Sequence, residues 1–449
     1  MTDAPASPYQ QFVAELAKLD VKLPVNVTSE VGVIADADGR GIITIDVNGE
    51  MADEVVEQIA FWVVLAINTC GGRLSEGKSM ADHTKIEWTD ATWNIVTGCQ
   101  IVSPGCTNCY AMRLAGTRLR NIPSRFGLTT DTKAGPVWTG DIRFNREWLD
   151  QPLRWKAPRM IFVAAHGDLF ADGVTKEQLD QIFAVMALSS QHIFQVLTKR
   201  PERMRDYLLE MERCFKRDER EFSRRWGTAA AEVTNSPCAA GAIEDIEFPL
   251  LNVWFGISAE DQRRADERIP FLCDTPAAIR WISAEPLLGD IRFSGLSADR
   301  KYKWDWLTGE TAVMHPDGPS FDCGPKIDWV VAGGESGPNA RPMHPDWARS
   351  LRDQCATAGV PFLFKQWGNW QIASEGKGHL DHNMARNDAF WVDIDGTRHK
   401  PSSTGLTKPC AMHRVSKSVA GRLLDGVEHN AFPPLPPHFK EHDHDQKAT

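Results

Sequence analysis

From residue 88 onward, short apolar β-rich runs alternate with longer stretches of helical periodicity, the pattern of βα units around a parallel sheet. The strand candidates are 92–98 (TWNIVTG), 160–166 (MIFVAAH), 193–198 (IFQVLT), 252–258 (NVWFGIS), 278–283 (AIRWIS), 328–334 (DWVVAGG) and 361–367 (PFLFKQW). Helices are predicted at 107–119, 175–189, 201–223, 260–272 and 345–358. These strands are apolar on both faces instead of alternating, which suits the covered parallel sheet of an α/β barrel. Two stretches break the rhythm and read as insertions: 224–248, rich in Ala and turn residues, and 295–326, with KYKWDW and HPDGPS.

Upstream the pattern differs. EVGVIADADGRGIITIDV alternates around the turn signal Asp38-Gly39, and MADEVVEQIAFWVVLAIN follows with helical character, giving a β-hairpin and one helix. The expected organisation is an acidic α+β accessory domain at 1–70, a polar linker at 71–84, a barrel at 85–372, a C-terminal extension at 373–428 and a disordered Pro- and His-rich tail at 429–449.

Charge adds to this division. The chain carries a net −10, and residues 1–80 alone hold five Lys/Arg against twelve Asp/Glu. The remainder is nearly balanced, so a nucleic-acid partner would need a local basic patch. RCFKRDEREFSRRW at 213–226 offers bases with flanking aromatics, but Asp218, Glu219 and Glu221 interrupt them, and an ordinary solvated helix explains the stretch better. The longest apolar run, IAFWVVLAI at 59–67, is too short to span a bilayer, which needs about 20 residues. No membrane association and a cytoplasmic location are expected. Trp88, Trp93, Trp254, Trp281 and Trp329 sit in or beside strands and read as core.

In βα barrels chemistry gathers where strands end. Here those positions carry Cys99, Cys106 and Cys109, then His166 and Asp168, then Thr198, Lys199 and Arg200. Ser258 and Glu260, Ser283 and Glu285, Gly333, Gly334 and Glu335, and Lys365 and Gln366 follow in turn. Ten cysteines in all, three of them in the single Gly/Pro-rich loop GCQIVSPGCTNCYA, point to metal in preference to a secreted disulfide framework. Three thiolates can cap three corners of an iron–sulfur cubane and leave one iron open. Zinc is the competing reading, although no second C-x2-C supplies a fourth ligand and His83 and His166 lie away from the loop.

The runs TKIEWTDATWNIVTGCQIVSPGCTNCYA, DLF, FQVLTKRPERM, NVWFGISAE, RWISAEPLLGDI, DWVVAGGESGPNARPM and PFLFKQWG resemble the phage family named after gene products 37 and 68, a domain of unknown function with a three-cysteine motif. The likeness spans 84–370, and that family is similar to radical S-adenosylmethionine enzymes. The spacing here is C-x6-C-x2-C where those enzymes have C-x3-C-x2-C, and Tyr110 follows the last cysteine instead of preceding it. The resemblance implies an α/β fold: a partial (β/α) barrel of radical-SAM type with a small N-terminal α+β accessory domain. It further implies a [4Fe–4S] cluster on Cys99, Cys106 and Cys109, S-adenosyl-L-methionine on the open iron, and an external electron donor.

The implied activity is reductive cleavage of S-adenosylmethionine and hydrogen abstraction from a substrate, which for a phage or prophage protein could be nucleic acid or nucleotide. Asp168 is the candidate for the cofactor's amino group, Thr198 and Lys199 for its carboxylate, Ser258 and Glu260 for its ribose, and Gly333 and Gly334 for close approach of adenine or substrate. Glu285, Glu335, Arg341, Lys365 and Gln366 are candidates on the substrate side. Two alternatives stand beside this reading: a zinc-stabilised nucleic-acid-binding or nuclease-like protein, and an inert barrel serving as a phage interaction module.

Overall fold

Seven parallel strands lie side by side in sequence order: β1 (Ala91–Trp93), β2 (Met160–Val163), β3 (Ile193–Thr198), β4 (Val253–Ser258), β5 (Ile279–Ala284), β6 (Trp329–Gly333) and β7 (Phe362–Gln366). The sheet curls into a half-barrel, the partial β/α barrel expected from the strand pattern. The computed structural model describes residues 84–436, apart from 85, 298, 300, 316, 376–388 and 400–405, together with Phe439 and, nearer the N-terminus, 26–27, 33–35, 38, 40–44, 56 and 63. The chain divides into two units, Met1–Met80 and Ala81–Thr449. In the first, Asn26–Val27, Val33–Ala35 and Gly41–Thr44 form an antiparallel three-stranded sheet. The helix expected over 51–68, apart from Val56 and Val63, and the linker 71–84, apart from Thr84, fall outside the described residues.

Both faces of the strands are buried, as their composition requires. Val253, Phe255 and Ile257 of β4 point to an outer core shared with the covering helices, whereas Trp254 joins an inner cluster with Trp88, Phe162, Trp281, Trp329, Val331 and Leu363. Trp88 enters from the segment before β1 and packs edge-on against Phe162 and Trp281, ring centroids 4.8 and 5.3 Å away. These indoles close one end of the half-barrel as an aromatic floor, and none of the five strand-associated tryptophans is more than 2% exposed.

The covering helices are α1 (Tyr110–Ala115), α2 (Lys176–Leu188), α3 (Pro201–Arg217), α4 (Glu219–Thr234), α5 (Cys238–Glu244), α6 (Gln262–Cys273) and α7 (Pro345–Ala358). Their ends follow local chemistry. Thr175 and Gln178 form a capping box on α2, Asp261 caps α6, and Gly359 takes the left-handed conformation that ends α7.

Several sequence expectations need correction. The strand expected at 92–98 stops at Trp93. Val96–Thr97 pairs antiparallel with Arg143–Phe144 instead, and the Asn94 side chain accepts the His166 N–H at 3.0 Å. The helix expected at 107–119 shrinks to α1 behind a 3-10 turn at Pro104–Cys106. The helix expected at 201–223 breaks at Asp218, whose carboxylate caps α4. Residues 224–248, read as an insertion, are largely helical: alanine is the best helix former, and Phe222 and Trp226 anchor α4 in the outer core. The 295–326 stretch is a four-stranded antiparallel sheet replacing the helix between β5 and β6. Disorder does not begin at 429. The Phe364 N–H donates to His429 O, Trp329 Nε1 donates to Ala431 O at 2.9 Å, and Phe432 and Leu435 pack on the aromatic floor. Residues 440–449 lie outside the described residues.

Gly256 sits beside Trp281 in register, and a Cβ there would come within 2.3 Å of the indole. Gly256→Ala should therefore destabilise the fold by about 1–3 kcal/mol through overpacking. Gly241→Ala, in α5 with nothing near, should stabilise it by about 0.5–1 kcal/mol. Urea unfolding followed by tryptophan fluorescence checks both; coincident midpoints would mean the floor absorbs the methyl.

Candidate functional site

The carboxyl edge of the half-barrel is organised by the loop that carries the three cysteines. It leaves Val96–Thr97 through Gly98, whose φ of +89° and closeness to Asp141 O, 2.3 Å from where a Cβ would stand, leave room for glycine alone. The loop then crosses the strand ends and is fastened at three points. The Gly105 N–H donates to Glu260 Oε1 at 3.1 Å, Arg341 Nη2 donates to Pro104 O at 2.9 Å, and Asn108 Nδ2 donates to Glu335 Oε2 at 2.9 Å. A Cβ at Gly105 would press on the Glu260 carboxylate, at 3.1 Å from its carbon.

Asp168, Glu260 and Glu335 are buried and answered by donors. Asp168 Oδ1 accepts from Thr198 Oγ1 at 2.7 Å and the Phe170 N–H at 3.0 Å; Oδ2 accepts from the Lys199 N–H at 3.2 Å and Arg200 Nη1 at 3.0 Å. Glu260 Oε2 pairs with Arg268 Nη1 at 3.1 Å. Burial pushes the Glu260 carboxyl up, but the Ser103 hydroxyl, Arg268 and the Gly105 amide outweigh it and hold the group below its ordinary range. Glu335 meets Arg341 side-on, Nη2 to Oε1 at 2.6 Å and Nε to Oε2 at 2.9 Å.

The thiols lie among cations. Arg200 Nη1 stands 3.8 Å from Cys99 Sγ; burial and the Asp168 charge nonetheless push that thiol up to about 11. Burial raises Cys109 as well, against the Met112 amide and the Lys199 charge. Cys106 Sγ lies 3.9 Å from Ser103 Oγ. In donor type, three thiols with cations alongside fit a group held by thiolates with a position left open. In placement they are not drawn to one point: among the described residues no three His, Cys, Asp or Glu side chains gather as a metal-holding set, and none supplies the fourth corner of a closed zinc site.

This geometry sorts the sequence candidates. Asp168, Thr198, Glu260, Glu335 and Arg341 brace the edge with hydrogen bonds to one another or to the cysteine loop. Gly333 and Gly334 serve packing within the fold, since Cβ atoms there would come within 2.7 Å of Glu285 Oε1 and 2.2 Å of Trp367 O. Gln366 Nε2 donates to Gly334 O at 3.3 Å while its Oε1 is buried without a partner among the described residues. Two pairs remain turned to the mouth: Lys199 Nζ with Ser258 Oγ at 3.2 Å, and Lys365 Nζ with Glu285 Oε1 at 3.1 Å. Lys365 Nζ also stands 5.9 Å over the Trp88 ring.

Sequence reasoning missed Asn108, Arg268 and Arg125. Arg268 was accessible, eight residues past Glu260 on a capped helix; Arg125 had no signal. It donates to His166 Nδ1 at 2.7 Å, and Tyr110 beside it donates to Ala165 O at 2.6 Å. The bases at 213–226 do not line the mouth: Arg225 is held by Asp180 and Glu210, and Phe222 and Trp226 are core.

Fold and site together define a partial (β/α) barrel whose carboxyl edge holds a braced thiol loop over two lysine-containing polar pairs. The chain belongs to the DUF5131 family, described as proteins of unknown function, whose family model matches residues 83–433. That span runs beyond residue 370 to take in the C-terminal antiparallel sheet, Trp370–Glu375, Cys410–Arg414, Ala389–Val392 and Arg398–His399, and Phe432 on the floor. No curated protein and no solved structure matches the chain. Among the described residues no helix is long and apolar enough to cross a membrane.

Burial, Arg125 and Arg118 lower His166 to about 4, so it is neutral in the fold. The unfolded chain takes up this proton near pH 6.5, the folded chain only near 4, so the contribution is present above 6.5 and lost as pH falls through that window. His166→Gln should therefore flatten the loss of stability between pH 7 and pH 4.5 relative to the unaltered chain. Urea midpoints at the two pH values measure it, and parallel losses would remove His166 from the balance.

Proposed function

We propose that the half-barrel is a radical enzyme of the S-adenosylmethionine type, in which Cys99, Cys106 and Cys109 hold a [4Fe–4S] cluster fed by an external electron donor. The observation that carries this reading is the thiol loop itself: fixed across the carboxyl edge by Glu260 and Glu335, with Arg200 against Cys99 and the charge of Lys199 acting on Cys109. The resemblance to the phage gene-product family supports it. When bound, the cluster and S-adenosylmethionine supply one-electron cleavage of a sulfonium and hydrogen abstraction from a substrate.

The chain's own part is to hold and orient. Lys199 and Ser258, one of the two polar pairs at the mouth not consumed in bracing, bind the carboxylate and a hydroxyl of the cofactor. Asp168, first assigned to the amino group, instead fixes the start of α3 and places Arg200. Glu285 and Lys365, paired above the aromatic floor, face the substrate and can pass a proton between them and it. The indoles below exclude water from that end.

Anaerobic purification with iron and sulfide analysis tests the reading. About four irons with matching sulfide per chain are expected. Cys99→Ala, Cys106→Ala and Cys109→Ala should each lose them, while Cys214→Ala, Cys238→Ala and Cys323→Ala should not. Stoichiometric zinc with no visible absorbance would replace this proposal with the zinc-stabilised reading.

A further inference from the structure

Charge on this chain is unevenly placed around the mouth. Residues 110–146, from α1 to the return strand, contain seven Lys/Arg and two Asp/Glu in a chain whose net charge is −10. Arg113, Arg118, Arg120, Lys133 and Arg146 are exposed. Among the described residues only Arg120 of these has an ion-pair partner, Asp131 at 2.8 Å, and that pair is itself open to solvent.

The lobe is joined to the mouth at both sides. The Arg113 guanidinium lies against Gly337, two residues past Glu335, within 3.2 Å of where a Cβ would be. Arg125 donates to Nδ1 of His166, after β2, at 2.7 Å, and the Tyr110 ring centroid is 6.0 Å from that imidazole. Large apolar side chains surface among these cations: Tyr110 is 42% exposed, Ile122 41% and Phe126 44%. Arg143 fixes the turn that displays the last two, donating to Pro123 O and, at 2.9 Å, to Phe126 O. Exposed arginines beside the Tyr110 ring are what a nucleic-acid strand needs: cations along the phosphates and a face on which a base stacks.

We propose that this lobe binds single-stranded nucleic acid, with Arg113, Arg118 and Arg120 on the phosphates and Tyr110 against a base, and so delivers a nucleotide to the mouth. It names the substrate class for the site proposed above and rests on that reading for what happens next, but binding itself requires neither cluster nor cofactor. Charge and exposed rings favour a strand over an acidic peptide, which has no planar faces to stack.

Anisotropy of a labelled oligouridine strand with the full chain, titrated with salt and without reductant or S-adenosylmethionine, is the test. Arg113→Gln combined with Arg118→Gln should reduce the slope of log affinity against log salt by about 1.4, at roughly 0.7 per phosphate contact on a single strand. Tyr110→Ala should weaken binding about tenfold at fixed salt and leave that slope unchanged. Arg213→Gln combined with Arg217→Gln, on the exposed face of α3, should do neither. No binding at low salt, an unchanged slope in the first variant, the same loss in the α3 control, or equal affinity for a duplex would each overturn the proposal. Iron and sulfide content, measured on the same preparations, shows whether the cluster reading stands or falls separately.

Discussion

Keeping Asp168, Glu260 and Glu335 charged while removing them from water is the constraint that shapes the mouth of this half-barrel. Each is at most 5% exposed, and a buried ion without partners costs several kcal/mol. The partners come from far along the chain: Gly105 lies 155 residues from Glu260, and Asn108 lies 227 from Glu335. Satisfying the carboxylates therefore docks the cysteine loop onto β4 and β6. The loop is positioned as a consequence of strand-end electrostatics, and its own turn residues only let it pass close enough.

The opposite end is built from other materials. Trp88, Trp254, Trp281 and Trp329 fill the interior with few polar atoms, and Phe432 seals them from outside. Between floor and mouth the polarity changes within one strand: on β5 the inward residues run Trp281 and then Ser283, with Glu285 just beyond. Gln195 marks the boundary, its Nε2 bonded to Trp88 O at 3.0 Å and its Oε1 without a partner among the described residues. The half-barrel is thus dry at the floor and ionic at the carboxyl edge, where Lys365 and Glu285 pair.

The strands were legible because a parallel sheet buried on both faces writes continuous apolar runs, and all seven lie within the predicted segments or a residue beyond them. Helix α7 matched at 345–358 because His344, Pro345 and Gly359 mark both its ends. The 224–248 stretch was misread because turn residues drew attention from an alanine run whose anchors, Phe222 and Trp226, precede it. The site was legible as a set and not as roles. Composition placed acids, cations and thiols at one edge, but whether a carboxylate braces or remains free depends on partners hundreds of residues away. Glu335 and Arg341 looked like substrate groups and instead close on each other, six residues apart.

The bracing also limits what the thiols can do unaided. Arg268 and Arg341 answer Glu260 and Glu335, and Arg200 is shared between Asp168 and Cys99. Ionising Cys99 or Cys109 would add negative charge beside carboxylates whose cations are already committed. Burial is the main cause of the rise of Cys99 to about 11 and of the upward push on Cys109, and the Asp168 charge adds to the first. A thiol held up by burial ionises only when positive charge comes close to it. The loop is therefore fixed by the strand-end carboxylates, while Cys99 and Cys109, raised by burial, are poorly suited to act as free nucleophiles.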